Sequence, residues 1–356
     1  MKVNFTPGPS QLFYTVEDHV RQAFKNGIPS LSHRSKEFEL IYGEVKNGLR
    51  ELLGLPSDFF IFFTGSATEI WERSIQNLVE KHSSHFVNGA FSKRYFEIAG
   101  QLGKNTFKVE SPNGTGFTSS GIVPEQTELI ALTHNETSTG VSLPLSFINE
   151  FKTLYPQSLI VVDAVSSLPY PDFDYSKIDS VFFSVQKGFG LPAGLGVWIV
   201  NERCMAKANK ISAAGGSIGT YHSLPVLLTS EKKNQTPETP NVLSIYLLSK
   251  VLQDMNRRGI QIIRKETEYK AAILYQSLEK HGLAKPFVQE KGVRSQTVIV
   301  AECRNETERI SKHLAGVGLF AGGGYGENKK NQLRFANFPT HSKEQFELLV
   351  DTLNVL

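Results

Sequence analysis

Between residues 58 and 201 the chain alternates short apolar runs with longer stretches whose apolar residues fall at helical spacing. The runs are DFFIFF (58–63), HFVN (85–88), ELIALTH (128–134), SLIVVDA (158–164), SVFFSV (180–185) and GVWIVN (196–201). Strands that are apolar on consecutive positions need cover on both faces. The stretch after the first run, ATEIWERSIQNLVEK, places Ile70, Trp71, Ile75, Leu78 and Val79 on one helical stripe. Helices between successive strands provide that cover, so the pattern predicts an α/β fold with a mostly parallel sheet flanked by helices.

Near residue 240 the pattern changes. VLSIYLLSKVLQDMNRRG and IQIIRKETEYKAAILYQSLEKHG read as two long helices. Strands follow near 296–302 and 332–337, with helices at about 305–315 and 342–355. This reads as a smaller C-terminal α+β domain, and 356 residues suffice for one large and one small domain. The expected division is an N-terminal arm over 1–15, a large domain over 16–255 and a small domain over 256–356.

A formal net charge of +3 on so long a chain offers no basis for nucleic-acid or acidic-membrane binding. The start, MKVNFTPGPS, lacks the apolar segment of a signal peptide. No apolar run approaches the roughly 18–20 residues that span a bilayer. Two isolated cysteines, Cys204 and Cys303, make neither a disulfide framework nor a zinc site. The expected setting is the reducing cytoplasm, with no metal, nucleic-acid or membrane partner.

The chemistry gathers at strand ends. In SVQKGFGLPAGLGVW (184–198) Lys187 closes an apolar strand and is followed by glycines. A buried amine is costly unless it has a task, and a lysine of lowered pKa can form an imine with an aldehyde. The competing reading is a lysine snorkelling from a glycine-rich loop. In LIVVDAVSS (159–167) Asp163 ends the preceding strand, one crossover away, at the carboxyl edge where open α/β sheets bind ligands. A carboxylate there can keep a pyridine nitrogen protonated, or can simply cap the next helix. Thr64-Gly65-Ser66-Ala67-Thr68 joins a strand to a helix, whose free N–H groups suit a phosphate. THNETSTGVSLP (133–144) brings Thr137 to another strand end, and VNGAFSKR (87–94) brings Phe91, an aromatic that can stack on a ring or serve as core.

The order G-S-A-T, N-G-x-F-S, N-E-T-x-x-G, V-V-D-A-x-S-S and Q-K-G resembles the class V aminotransferases of fold-type I across the whole large domain. That resemblance implies pyridoxal 5'-phosphate as cofactor, held by Lys187 as a Schiff base. It implies Asp163 on the ring nitrogen, Thr137 on the ring hydroxyl, Phe91 stacked on the ring, and Ser66, Ala67 and Gln186 at the phosphate.

Further segments resemble the phosphoserine aminotransferases: NFTPGPS, SHRSKEF (32–38), KKNQTPETP (232–240) and QLRFANFP (332–339). They imply a homodimer with shared sites, in which His33 and Arg34 reach the substrate's acidic groups in the partner's site. Gln235 and Thr236 then contact the cofactor phosphate across the dimer, and Arg334 binds the α-carboxylate. The expected activity is amino transfer between O-phosphoserine and 2-oxoglutarate in serine biosynthesis. Two positions depart from the pattern: Phe91 stands where Trp is usual, and Asn328-Lys329-Lys330 stand where a phosphate-binding His-Arg pair is usual. Lys329 is the expected substitute. The alternatives are a class V alanine/serine–glyoxylate aminotransferase, a cysteine desulfurase-like enzyme, or a non-enzymatic α/β binding protein. A desulfurase needs a nucleophilic cysteine on a mobile loop, and a binding protein has no need of both Lys187 and Asp163.

Overall fold

The computed structural model describes residues 2–119 and 123–356. Seven strands form the large sheet, in the order Phe59–Thr64, Gly196–Asn201, Ser180–Ser184, Leu159–Asp163, Leu129–Thr133, His82–Val87, Asn105–Glu110. The last five in this order run parallel to one another, and Gly196–Asn201 is antiparallel to both its neighbours. The fold is thus the mostly parallel α/β sheet that the apolar runs imply.

Strand side chains alternate between faces, so each apolar run divides between two cores. Ile61, Phe63, Ile130, Leu132, Ile160, Val162, Val181 and Phe183 join the core on one face. Phe62, Leu129, Ala131, Leu159, Val161, Phe182 and Trp198 join the core on the other, with Ile70, Trp71 and Ile75 of the helix Ala67–Leu78. The helices Lys36–Leu53 and Val242–Arg258 pack on the first face, where Gly48 lets the Leu252 side chain come close.

A second, five-stranded sheet has the order Val3–Phe5, Leu319–Gly323, Gln332–Ala336, Val298–Glu302, Lys285–Pro286. Its first strand comes from the start of the chain and pairs in parallel with Leu319–Gly323, Val3 lying opposite Leu319. The helices Ile260–Lys280 and Lys343–Asn354 cover it through Leu274, Leu278, Phe346 and Leu349. From this sheet the segment after Phe5 crosses to the large one. The Ser10 N–H donates to the Gln186 carbonyl at 3.1 Å and the Phe13 N–H to that of Gly190 at 2.8 Å. The crossing lays residues 7–10 over the end of the lysine strand. Among the described residues no helix is long and apolar enough to cross a membrane.

Candidate active site

The carboxyl ends of the parallel strands converge on a cavity of about 210 Å³. Lys187 follows the strand Ser180–Ser184, is 9% exposed, and donates from Nζ to the Pro7 carbonyl at 2.6 Å. Burial depresses its pKa to about 8; the Arg334 charge pushes the same way and Asp163 opposes. Such an amine sheds its proton readily enough to act as a nucleophile.

Asp163 sits where its strand ends, 3% exposed. Oδ1 accepts the Val165 N–H at 2.9 Å and Oδ2 accepts the Trp71 indole N–H at 2.8 Å. Burial nevertheless raises its pKa to about 6, against the pull of these two bonds. A cation beside this carboxyl would return it to full charge.

The third wall is the start of the helix Ala67–Leu78. Ser66 is its N-cap, with Oγ accepting the Glu69 N–H at 3.1 Å. The Ala67 N–H donates to Ser184 Oγ at 2.9 Å. Gly196 on the neighbouring strand permits this turn to sit so low, since a Cβ there would lie 2.6 Å from the Ser66 carbonyl carbon. Gln186 lines the same cavity, and its buried Oε1 has no hydrogen-bond partner among the described residues. A buried amide oxygen without a partner points to a polar group that belongs beside it.

Phe91 lies in the first turn of the helix Ala90–Gln101, and its ring also lines the cavity. The buried Glu136 anchors that turn: it accepts the N–H and hydroxyl of Ser92, each at 2.9 Å, and the Ser138 hydroxyl at 2.6 Å. Thr137 and Asn135 both donate to Ser166 Oγ at 2.8 Å. Arg334 belongs to the small-sheet strand Gln332–Ala336. Its Nε donates to the Gly323 carbonyl at 2.7 Å and Nη1 to that of Thr137 at 3.3 Å. Its guanidinium lies 5.5 Å from the centre of the Tyr325 ring, which lies 5.1 Å from that of Phe91.

Of the residues singled out in the sequence, Ser66, Ala67, Phe91, Thr137, Asp163, Gln186 and Lys187 line one cavity. His33, Arg34, Gln235, Thr236, Lys329 and Arg334 do not line it. Arg34 and Gln235 meet elsewhere: Arg34 Nη1 donates to Gln235 Oε1 at 2.8 Å, and Gln235 Nε2 to Glu39 at 2.9 Å. The Thr236 hydroxyl donates to the Glu238 carbonyl at 2.7 Å. Burial and the neighbouring Arg34 hold the His33 pKa below its ordinary value. Lys329 is exposed in the turn Gly326–Lys330.

Sequence reasoning missed five contributors. Trp71 was one apolar residue of a helical stripe, although an indole N–H buried with it needs an acceptor. Ser184 and Ser166 carried no signal beyond their place near strand ends. Pro7 and Gly8, from the opposite end of the chain, come so close that a Cβ on Gly8 would lie 2.2 Å from Lys187 Nζ.

A nucleophilic amine, a buried acid and a helix start with an unpartnered amide beside it thus surround one cavity. They fit a ligand that carries an aldehyde, a basic ring nitrogen and a phosphate, which are the functional groups of pyridoxal phosphate.

Residues 3–320 match the family model described as aminotransferase class-V. A putative phosphoserine aminotransferase of Mycobacterium leprae is 29% identical, with 98% of this chain and 93% of that protein covered. Another, of Mycolicibacterium vanbaalenii, is 30% identical, with 86% and 83% covered. Among solved structures, a phosphoserine aminotransferase of Cytophaga hutchinsonii superposes with a TM-score of 0.98 at 51% identity, covering 99% of this chain and 98% of that one.

Proposed function

The chain belongs to the class-V aminotransferases and uses pyridoxal phosphate, and from that premise we propose that it transfers the amino group between O-phosphoserine and 2-oxoglutarate. The observation that carries the substrate choice is the end-to-end likeness to a phosphoserine aminotransferase that shares about half of its residues.

When bound, the cofactor supplies an aldehyde and an electron-accepting ring. Lys187 would hold the aldehyde through Nζ, and its amine, when free, would move the substrate's α-proton. Its pKa of about 8 suits both tasks near neutral pH. Asp163 keeps the ring nitrogen protonated, and the Trp71 and Val165 N–H groups fix its carboxylate for that purpose. Ser66, Ala67 and Gln186 would hold the phosphate, Phe91 would pack against the ring, and Thr137 would meet the ring hydroxyl. Arg334 binds the substrate α-carboxylate, for which a guanidinium fork is suited.

The working unit is a homodimer. Support comes from Arg34 and Gln235, which pair with each other away from their own cavity. His33 and Arg34 of one copy serve the substrate's acidic groups in the other, and Gln235 and Thr236 the cofactor phosphate there. Two free, buried cysteines agree with a reducing cytoplasm.

The test is kcat/KM for phosphoserine, serine and alanine, each with 2-oxoglutarate and with glyoxylate. Phosphoserine with 2-oxoglutarate is expected to lead by about a hundredfold or more, the scale of one or two charge-assisted contacts. A lead for alanine or serine with glyoxylate would overturn the substrate and leave the class intact.

A further inference from the structure

Next to the turn that opens the helix Ala67–Leu78 lies a second buried polar cluster, centred on His222. This imidazole is 4% exposed and borders a separate cavity of about 230 Å³. Its Nδ1 is hydrogen-bonded to Glu69. Its Nε2 lies 3.4 Å from Glu238 Oε1, an ion-pair distance without an aligned hydrogen bond. One ring therefore joins two carboxylates from segments that are far apart in the chain.

The first segment lies at the phosphate end of its own copy's cavity, and the second, in the dimer proposed above, approaches the cofactor phosphate of the other copy. Glu69 stands in the first helical turn, and its Oε2 accepts the Gly65 N–H at 2.9 Å. It thus occupies a donor of the same turn that carries Ser66 and Ala67. Glu238 follows Gln235 and Thr236, and its carbonyl holds the Thr236 hydroxyl. Carboxylates on segments that face groups carrying close to two negative charges would weaken phosphate binding unless a cation balances them. Arg73 reaches only Glu69, at 3.5 Å, whereas His222 reaches both. Burial works against a charge on His222, but Glu238 and Glu69 outweigh it and raise the pKa to about 9. The imidazole is therefore a cation throughout the neutral range.

We propose that His222 is a positioning residue for phosphate recognition: acting through Glu69 and Glu238, it balances the negative charge that the turn 64–68 and the segment 235–239 would otherwise set against the phosphate. The inference rests on the reading that these two segments face cofactor phosphate.

The experiment titrates full-length apoprotein with pyridoxal phosphate and, separately, with pyridoxal, which lacks the phosphate, following the absorbance of the bound aldehyde. Wild type should prefer the phosphorylated form strongly; equal affinity would overturn the phosphate reading itself. His222→Gln should lower the ratio of the two affinities by about tenfold, while pyridoxal alone binds as before. A general loss of structure would weaken both ligands together. Glu238→Gln removes one of the opposing charges from the partly exposed arm of the cluster, and should raise the ratio by about threefold. A ratio unchanged in His222→Gln, or equal losses for both ligands, overturns the proposal. Should that variant fail to fold, Glu238→Gln decides, and an unchanged or lower ratio overturns it.

Discussion

The Trp71 indole N–H donates to Asp163 Oδ2 at 2.8 Å, so a helix residue fixes the carboxyl that ends the neighbouring strand. The bond draws the Asp163 pKa down against burial, and the Val165 N–H does the same on the other oxygen. Trp71→Phe keeps the ring in the core and removes only the donor. Hydrogen bonds to charged groups contribute roughly 1.5–3 kcal/mol, so kcat/KM should fall about ten- to a hundredfold with little change in melting temperature. Asp163→Asn, which cannot hold a ring nitrogen protonated, should lose about a thousandfold or more. Steady-state kinetics at saturating cofactor checks both. A well-folded Asp163→Ala enzyme with full activity would refute the role.

Lys187→Ala should abolish transamination, and pyridoxal phosphate should then bind without a borohydride-reducible link. Near wild-type turnover would reassign the nucleophile.

The same lysine has a consequence for the stability of the apoprotein. Its folded pKa, about 8, lies below the ordinary lysine value of roughly 10.4. Below pH 8 both folded and unfolded chains carry the proton, and the full cost of burying the charge is present. Between pH 8 and about 10.4 the folded chain sheds the proton while the unfolded chain keeps it, so stability rises with pH. Lys187→Met apoprotein should therefore melt about 2–4 °C above wild-type apoprotein at pH 7. The gap should narrow towards pH 10. Calorimetry across that range decides, and a gap that widens with pH would show that the amine is not buried as a charge.

The proposed dimer with shared sites is open to a mixing experiment. Lys187→Ala and Arg34→Ala chains should each be inactive with phosphoserine. A heterodimer of the two carries one site with Lys187 from one chain and Arg34 from the other. Equal mixing should restore about a quarter of wild-type activity, since half of the dimers are mixed and each has one complete site. Mixed dimers that form but show no activity would place Arg34 in its own chain's site.

Some of this was legible in the sequence because burial on both faces leaves a mark. Leu159–Asp163 and Ser180–Ser184 are buried at every position and read as apolar runs. Asn105–Glu110 lies at the sheet edge with most of its residues exposed, so NTFKVE shows no such run. Val3–Phe5 is three residues long and pairs with Leu319–Gly323 at the far end of the chain, a contact that no local pattern carries. The site divides in the same way. Lys187, Asp163 and the turn at Ser66 sit where strands end, and strand ends can be read. Trp71 on Asp163, Pro7 on Lys187 and His222 between two glutamates are side-chain meetings across elements, fixed only by the packing.

The substrate phosphate sets the hardest requirement, because it needs several cations at one point. Arg334 is engaged by the Gly323 and Thr137 carbonyls and by the Tyr325 ring, and its proposed task is the α-carboxylate. Lys329 lies in the exposed turn that follows Tyr325, and a Cβ on Gly323 would lie 3.8 Å from its Cγ. Its stem thus passes close to Gly323, whose carbonyl accepts from Arg334, and a lysine ammonium can bind a phosphate as a point charge. If it supplies one charge-assisted contact, that contact contributes roughly 1.5–3 kcal/mol. Lys329→Ala should then lower kcat/KM for phosphoserine by about ten- to a hundredfold. Activity with serine or alanine should barely change, because the lost contact exists only for the phosphate. Equal loss for phosphorylated and unphosphorylated donors would show that the residue shapes the Arg334 loop instead. No loss with either would leave the phosphate to His33 and Arg34 of the second copy.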